Sequence, residues 1–196
     1  MNYAAYLPFD RDDLLERLEQ TLSPHRYQHV LNVEKAAIQL AEAYGQDPIK
    51  AGLAGLLHDY AKEKPDSYFQ QLIQERNLDP DLLQWGNNLW HGYLGIYAIQ
   101  EELGLENPEI LEAIRVHTIG KAEMSPLDMI LYVADYIEEG RNFPGVEEAR
   151  RIAFSSLEGG VAYETAETLS FLAKKRIPIY PQTLETYNAY RHFLER

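Results

Sequence analysis

Apolar residues recur along this chain at helical intervals. Val30, Val33, Ala37, Leu40, Ala41 and Tyr44 follow the i, i+3, i+4, i+7 spacing of one helix face. Leu53, Leu56 and Leu57 do the same on the next segment, as do Ile130, Leu131 and Ala134 further on. No stretch alternates apolar and polar residues between turn signals, so the pattern predicts an all-α chain. Punctuation between the periodic segments agrees. Ser23-Pro24, Asp47-Pro48, Asp79-Pro80, Asn107-Pro108 and Ser125-Pro126 each put a capping side chain directly before a proline. The capping oxygen satisfies otherwise unpaired N–H groups, and proline suits the first helical position, so these five pairs read as helix starts. Gly45 and Gly104 stand where the matching helices should stop. The predicted helices run over about 11–22, 24–44, 48–60, 66–76, 88–103, 108–117, 126–138, 146–157, 160–174 and 183–195. Segments 140–145 and 177–181 read as ordered loops.

Length changes this picture little. The 196 residues suit one helical domain, a core over about 24–138 completed by C-terminal helices from about 146 to 196. No apolar run approaches the ~20 residues that span a bilayer, and the N-terminus lacks the basic-then-apolar pattern of a signal peptide. A cytoplasmic location is expected. The chain has no cysteine, which excludes disulfides and thiolate metal sites together. Any bound metal must use His, Asp or Glu. The net charge of −13 argues against nucleic acid or an anionic membrane as partner, because both require a basic face. It also repels phosphorylated small molecules, so a phosphate site here must be made locally positive by metal or convergent basic side chains.

Candidate chemistry lies where polar residues interrupt apolar runs. His29 sits on the helix face of Val30 and Val33. His58 and Asp59 end the run Leu53-Ala54-Gly55-Leu56-Leu57, and Asp135 follows Met129-Ile130-Leu131-Tyr132-Val133-Ala134. A carboxylate buried at such a position is costly unless paired or metal-bound. Two carboxylates and two imidazoles from separate helices make a suitable site for a hard-to-intermediate metal ion. His91-Gly92 and His117-Thr118 stand between them in sequence.

The order His29, then His58-Asp59, then the distant Asp135 resembles the HD superfamily of metal-dependent phosphohydrolases. Over nearly its whole length the chain resembles the YqeK family of bacterial HD proteins. The resemblance rests on Arg26…His29, Leu57-His58-Asp59-Tyr60-Ala61-Lys62, His91-Gly92, His117-Thr118, Ala134-Asp135-Tyr136-Ile137-Glu138…Arg141, and Pro178-Ile179-Tyr180-Pro181-Gln182-Thr183…Tyr187-Asn188. It implies an HD-domain helical bundle that hydrolyses diadenosine tetraphosphate symmetrically to two ADP, with a metal-activated water attacking a β-phosphorus. The implied metal is a divalent transition ion, iron first, then manganese or cobalt. His29, His58, Asp59 and Asp135 are the implied ligands, with Asp59 also orienting the water and Lys62 stabilising the developing charge. His91 and His117 would face the phosphates or hold a second ion. Arg26, Lys62 and Arg141 would supply positive charge, and Thr118 a hydrogen bond to phosphate. Pro178, Ile179, Tyr180, Pro181, Gln182 and Thr183 would wall the adenosine, with Tyr180 nearest the base.

Other readings stay open at this point. The same ligands suit an HD enzyme acting on other nucleotides, or a non-catalytic nucleotide-binding regulator. A homodimer is compatible with a helical chain of this size, with no pairing face assigned. His25 and His192 read as solvated, and Asp47, Asp79 and the Glu138-Glu139 pair as caps or surface, with Glu138 close enough to Asp135 to merit a mutant. Lys174-Lys175-Arg176 fits the negative end of a helix dipole.

Overall fold

A computed structural model describes residues 1–194 and contains no strand among them. The α-helices, in order, are α1 (Arg11–Thr21), α2 (Pro24–Ala43), α3 (Pro48–Leu57), α4 (Asp66–Glu75), α5 (Asn87–Tyr93), α6 (Gly95–Leu103), α7 (Pro108–Val116), α8 (Pro126–Ile137), α9 (Val146–Ser155), α10 (Leu157–Lys175) and α11 (Pro181–Tyr190). Short 3-10 turns precede α5 (Pro80–Gln84) and follow α11 (Arg191–Leu194).

Four of the five cap-proline pairs open α-helices. The Asp47 carboxylate accepts from the N–H groups of Ile49 and Lys50, and the Asn107 side chain from those of Glu109 and Ile110. Ser125 and Asp128 form a reciprocal capping box on α8. Asp79-Pro80 departs from expectation, since it opens only the 3-10 turn. The helix expected over 88–103 is broken at Leu94, which lies between Gly92 and Gly95, two residues that weaken the helix locally. The last predicted helix starts two residues early, at Pro181, and gives way to the 3-10 turn at Arg191; residue 195 of that expectation lies outside the described residues.

α2 packs along α3 and α8, α7 along α8, and α10 against α8, α9 and α11. Val30, Val33, Leu53, Leu56, Leu57, Ile130 and Leu131 are fully buried in the shared core. The approach of α2 to α3 depends on Gly55, where a Cβ would stand 2.9 Å from the Glu34 backbone. That contact lies within a turn or two of both His29 and His58. None of the described helices is long and apolar enough to cross a membrane.

Candidate metal centre and the groove beside it

Five elements deliver six side chains to one place. His29 comes from α2, His58 and Asp59 from the end of α3, His91 from α5, His117 from the end of α7, and Asp135 from α8. α3 and α7 end in the same way. His58 Nδ1 donates to the Gly55 carbonyl at 2.8 Å, and His117 Nδ1 to that of Ile114 at 2.7 Å. The Gly55 carbonyl would otherwise accept the Asp59 N–H in a continuing helix. With it taken, the chain runs on in three-residue turns, Tyr60 N to Leu57 O and Lys62 N to Asp59 O. The helices therefore stop at Leu57 and Val116, ahead of the expected 60 and 117, because their terminal histidines fold back.

The other two imidazoles are anchored likewise. His91 Nδ1 donates to the Asn87 carbonyl at 2.6 Å, and His29 Nδ1 to Glu138 Oε1 at 3.2 Å. Carbonyls only accept, so the Nδ1–H contacts of His58, His91 and His117 turn their Nε2 atoms inward, and His29, with Nδ1 at Glu138, presents its Nε2 to the same place. His29 and His58 meet Nε2 to Nε2 at 3.3 Å, and His91 and His117 at 3.2 Å. Ring nitrogens this close, with carboxylates beside them, are held together by positive charge between them, whether a proton or a metal ion. The carboxylates stand among these nitrogens. Asp135 Oδ1 is 3.1 Å from His29 Nε2 and 3.8 Å from His58 Nε2. Asp59 Oδ2 lies 3.6 Å from His29 and 3.5 Å from His58, while its Oδ1 lies 3.2 Å from His91. Three overlapping triads of donors fall within 4.8 Å: His29, His58 and Asp59; His58, His117 and Asp135; and Asp59, His91 and His117. Imidazole nitrogen with carboxylate oxygen, oriented by outer hydrogen bonds, fits a divalent cation.

Electrostatics keep both carboxylates ionised and His117 neutral, and favour the charged form of His58 while no cation stands beside it. Burial opposes ionisation of Asp59, but His58 and His91 outweigh it and keep the carboxyl well below its ordinary range. Asp135 is likewise held low against burial, by His29, His58 and Arg141. Arg26 pairs with Asp59 Oδ2. Arg141 donates to Asp135 Oδ1 at 2.6 Å and to the Asp135 carbonyl at 3.0 Å, so it both caps α8 and joins the site. Burial, then the neighbouring His58 and His91, push His117 down to about 3, which leaves it neutral and able to donate its lone pair. His58 moves the other way: burial lowers it, but Asp59 more than compensates. Lys62 is pushed down by burial against the pull of Asp59. Its ammonium is 3.2 Å from His91 Nδ1, but that nitrogen already donates to Asn87, so Lys62 is left without an acceptor there. Asp59, Asp135 and Glu138 are thus matched by Arg26, Lys62 and Arg141.

Glu138 stands at the C-terminal cap of α8, one of the two readings given to it, and its surface reading is corrected. It is buried, and its carboxylate accepts from His29 Nδ1, from Asn32 Nδ2 at 2.9 Å and from the Gly140 N–H. The signal for it was position: Glu138 is one turn past Asp135, and Asn32 one turn past His29. Gly92 matters too, because a Cβ there would stand 2.8 Å from the His117 ring. His25 and His192 are exposed, as expected.

A groove of about 410 Å³ is linked to the histidines through Thr118, the residue after His117, although no histidine lines it. One wall is Gln84–Leu89, the other Ile177, Pro178, Tyr180 and Thr183, with Thr118 and Ile119 between and Thr168 and Leu172 of α10 alongside. Asn87 belongs to both regions, lining the groove while its carbonyl anchors His91. Thr118 Oγ1 is buried with no partner. Of the six wall residues expected from 178 to 183, Ile179, Pro181 and Gln182 do not line the groove; the Gln182 amide instead donates to the Gly120 carbonyl.

Residues 26–140 match the HD domain, and the chain belongs to that family. Within it, the chain resembles proteins of one named activity. It is 44% identical to the symmetrical bis(5'-nucleosyl)-tetraphosphatase of Halalkalibacterium halodurans and 41% identical to that of Bacillus subtilis. Each match covers 91% of this chain and 96% of the relative. A crystal structure of a predicted HD superfamily hydrolase involved in NAD metabolism, from Clostridium acetobutylicum, superposes with a TM-score of 0.88 at 32% identity, covering 94% of this chain and 98% of that one.

Proposed function

We propose that this protein hydrolyses diadenosine tetraphosphate symmetrically to two ADP. The observation that carries this reading is the convergence of four Nδ1-anchored imidazoles and two ionised carboxylates beside a groove of nucleoside size. The named activity of the relatives selects the substrate. His29, His58, Asp59 and Asp135 would hold the metal, with iron first and manganese or cobalt as substitutes. When bound, a divalent ion supplies activation of water near neutral pH and neutralisation of phosphoryl charge.

The chain's own groups do the rest. Arg26 and Arg141 keep Asp59 and Asp135 ionised and correctly turned. Asp59, with oxygens facing two sets of nitrogens, can orient the attacking water with one while ligating with the other. Lys62, its ammonium beside His91, offers positive charge to the phosphates. Thr118 Oγ1 offers a hydrogen bond at the groove's inner end. Water attacks one β-phosphorus, the bond from that phosphorus to the central bridging oxygen breaks, and the second ADP leaves on that oxygen. His91 and His117 face the phosphates from the groove side. The chain acts as one HD unit, its core carrying the donors and the helices after residue 146 completing the nucleotide wall. A cytoplasmic location belongs to the same proposal.

The test pairs site variants with a substrate panel. Wild type with ferrous or manganous ion should favour diadenosine tetraphosphate over nucleoside triphosphates and guanosine alarmones. His58→Ala and Asp59→Ala should lose both bound metal and hydrolysis while keeping their far-UV helical signal. Full activity in both variants would overturn the site, and preference for another member of the panel would overturn the substrate.

A further inference from the structure

We propose that Trp85 recognises the nucleobase, donating its indole N–H to a purine ring nitrogen from the wall opposite residues 178–183. This inference rests on the nucleotide reading of the groove. The chain has two tryptophans, and the structure treats them differently. Trp90 is buried and its Nε1–H donates to the Leu82 carbonyl at 2.8 Å. The Trp85 Nε1 is also buried, yet it has no acceptor among the described residues. An indole N–H can only donate, and one left unpaired away from water is costly. A ligand that brings an acceptor removes that cost.

The surroundings say which part of a nucleotide arrives there. Trp85 lines the groove and packs edge-to-face on Tyr180, with ring centroids 4.9 Å apart and planes at 84°. Tyr180 in turn lies 6.2 Å from Tyr93. Aromatic surfaces of this kind hold bases by stacking with little regard to sequence, so specificity must come from a directed hydrogen bond. The groove's other orphaned polar atom, Thr118 Oγ1, neighbours His117 and marks the phosphate end. Trp85 and Tyr180 form the aromatic end. A nucleoside diphosphate with phosphates at the histidines therefore presents its base to the indole. The unsubstituted ring nitrogens of adenine are acceptors, and a donor-only group can pair with one of them.

The experiment measures binding to manganese-loaded protein of ADP, pyrophosphate, and the 1-, 3- and 7-deaza analogues of ADP, with wild type and Trp85→Phe. Loss of one neutral hydrogen bond should weaken ADP binding by about five-fold in the variant and leave pyrophosphate binding unchanged. One deaza analogue should bind wild type more weakly than ADP by a similar factor, and the variant should not distinguish it from ADP. Because the analogue series uses wild type, it reads the same contact even if the variant folds poorly. Equal ADP affinity in variant and wild type, parallel loss of pyrophosphate binding, or indifference of wild type to all three analogues would overturn the assignment of Trp85. Wild type that binds none of the nucleotides would overturn the nucleotide reading itself, a distinguishable result.

Discussion

Glu138→Ala removes the acceptor of three N–H groups without touching any proposed ligand atom. Gly140 is exposed, and water replaces the carboxylate for its N–H. His29 and Asn32 are buried, so their donors lose partners that water reaches poorly. Each orphaned donor costs about 1–3 kcal/mol, which puts the stability loss at about 2–4 kcal/mol after allowing for water entering the space. The effect on metal is separate. Without Glu138, His29 Nδ1 loses its partner and the ring is free to turn. Loss of such an outer partner typically weakens metal affinity 10- to 100-fold, about 1.4–2.8 kcal/mol. Chelator competition for manganous ion measures this directly, alongside kcat at saturating metal. Weaker affinity with kcat recovering to within a few-fold at high metal is the expected result. Glu138→Gln, which keeps one acceptor oxygen, should fall between. Unchanged affinity in Glu138→Ala, or a kcat loss that metal does not repair, would refute an anchoring role.

Gly92→Ala would push a Cβ to 2.8 Å from His117 Cε1 and 3.2 Å from the Ile114 carbonyl. Overpacking of that kind costs about 1–3 kcal/mol, a fall in Tm of about 2–12 °C, and calorimetry showing neither this nor lost activity would contradict the packing described. Glu164 gives a pH prediction. Burial, reinforced by Asp135, raises its folded pKa well above the ordinary 4.5. Between those two values the native protein holds a proton that the unfolded chain has released, so stability falls as pH rises through the window. Glu164→Gln removes the titration. Its stability relative to wild type should match below pH 4.5 and improve steadily above it in urea unfolding, and a pH-independent difference would refute the assignment.

The legible parts of the fold were those decided locally. Cap-proline pairs marked four α-helix starts because both the side-chain oxygen and the fixed φ act within one turn. The ends of α3 and α7 were decided instead by histidines folding back on carbonyls three residues earlier, which helical periodicity does not register. The break at Leu94 falls between two glycines, and at Gly92 the space is taken by His117, from a distant helix. At the site, the histidines and aspartates stood out because they interrupt apolar runs. Glu138 was legible only as a cap or surface acid one turn past Asp135, since nothing local shows Asn32 and His29 closing over it. Trp85 was one aromatic among many, and only its unpaired N–H distinguishes it.

The central claim is chemical, and product analysis in isotopically labelled water tests it most directly. Wild-type protein with ferrous ion should convert each diadenosine tetraphosphate to two ADP, one of them carrying a single solvent oxygen on its β-phosphate. Equal amounts of ATP and AMP, or label on any other phosphorus, would contradict it.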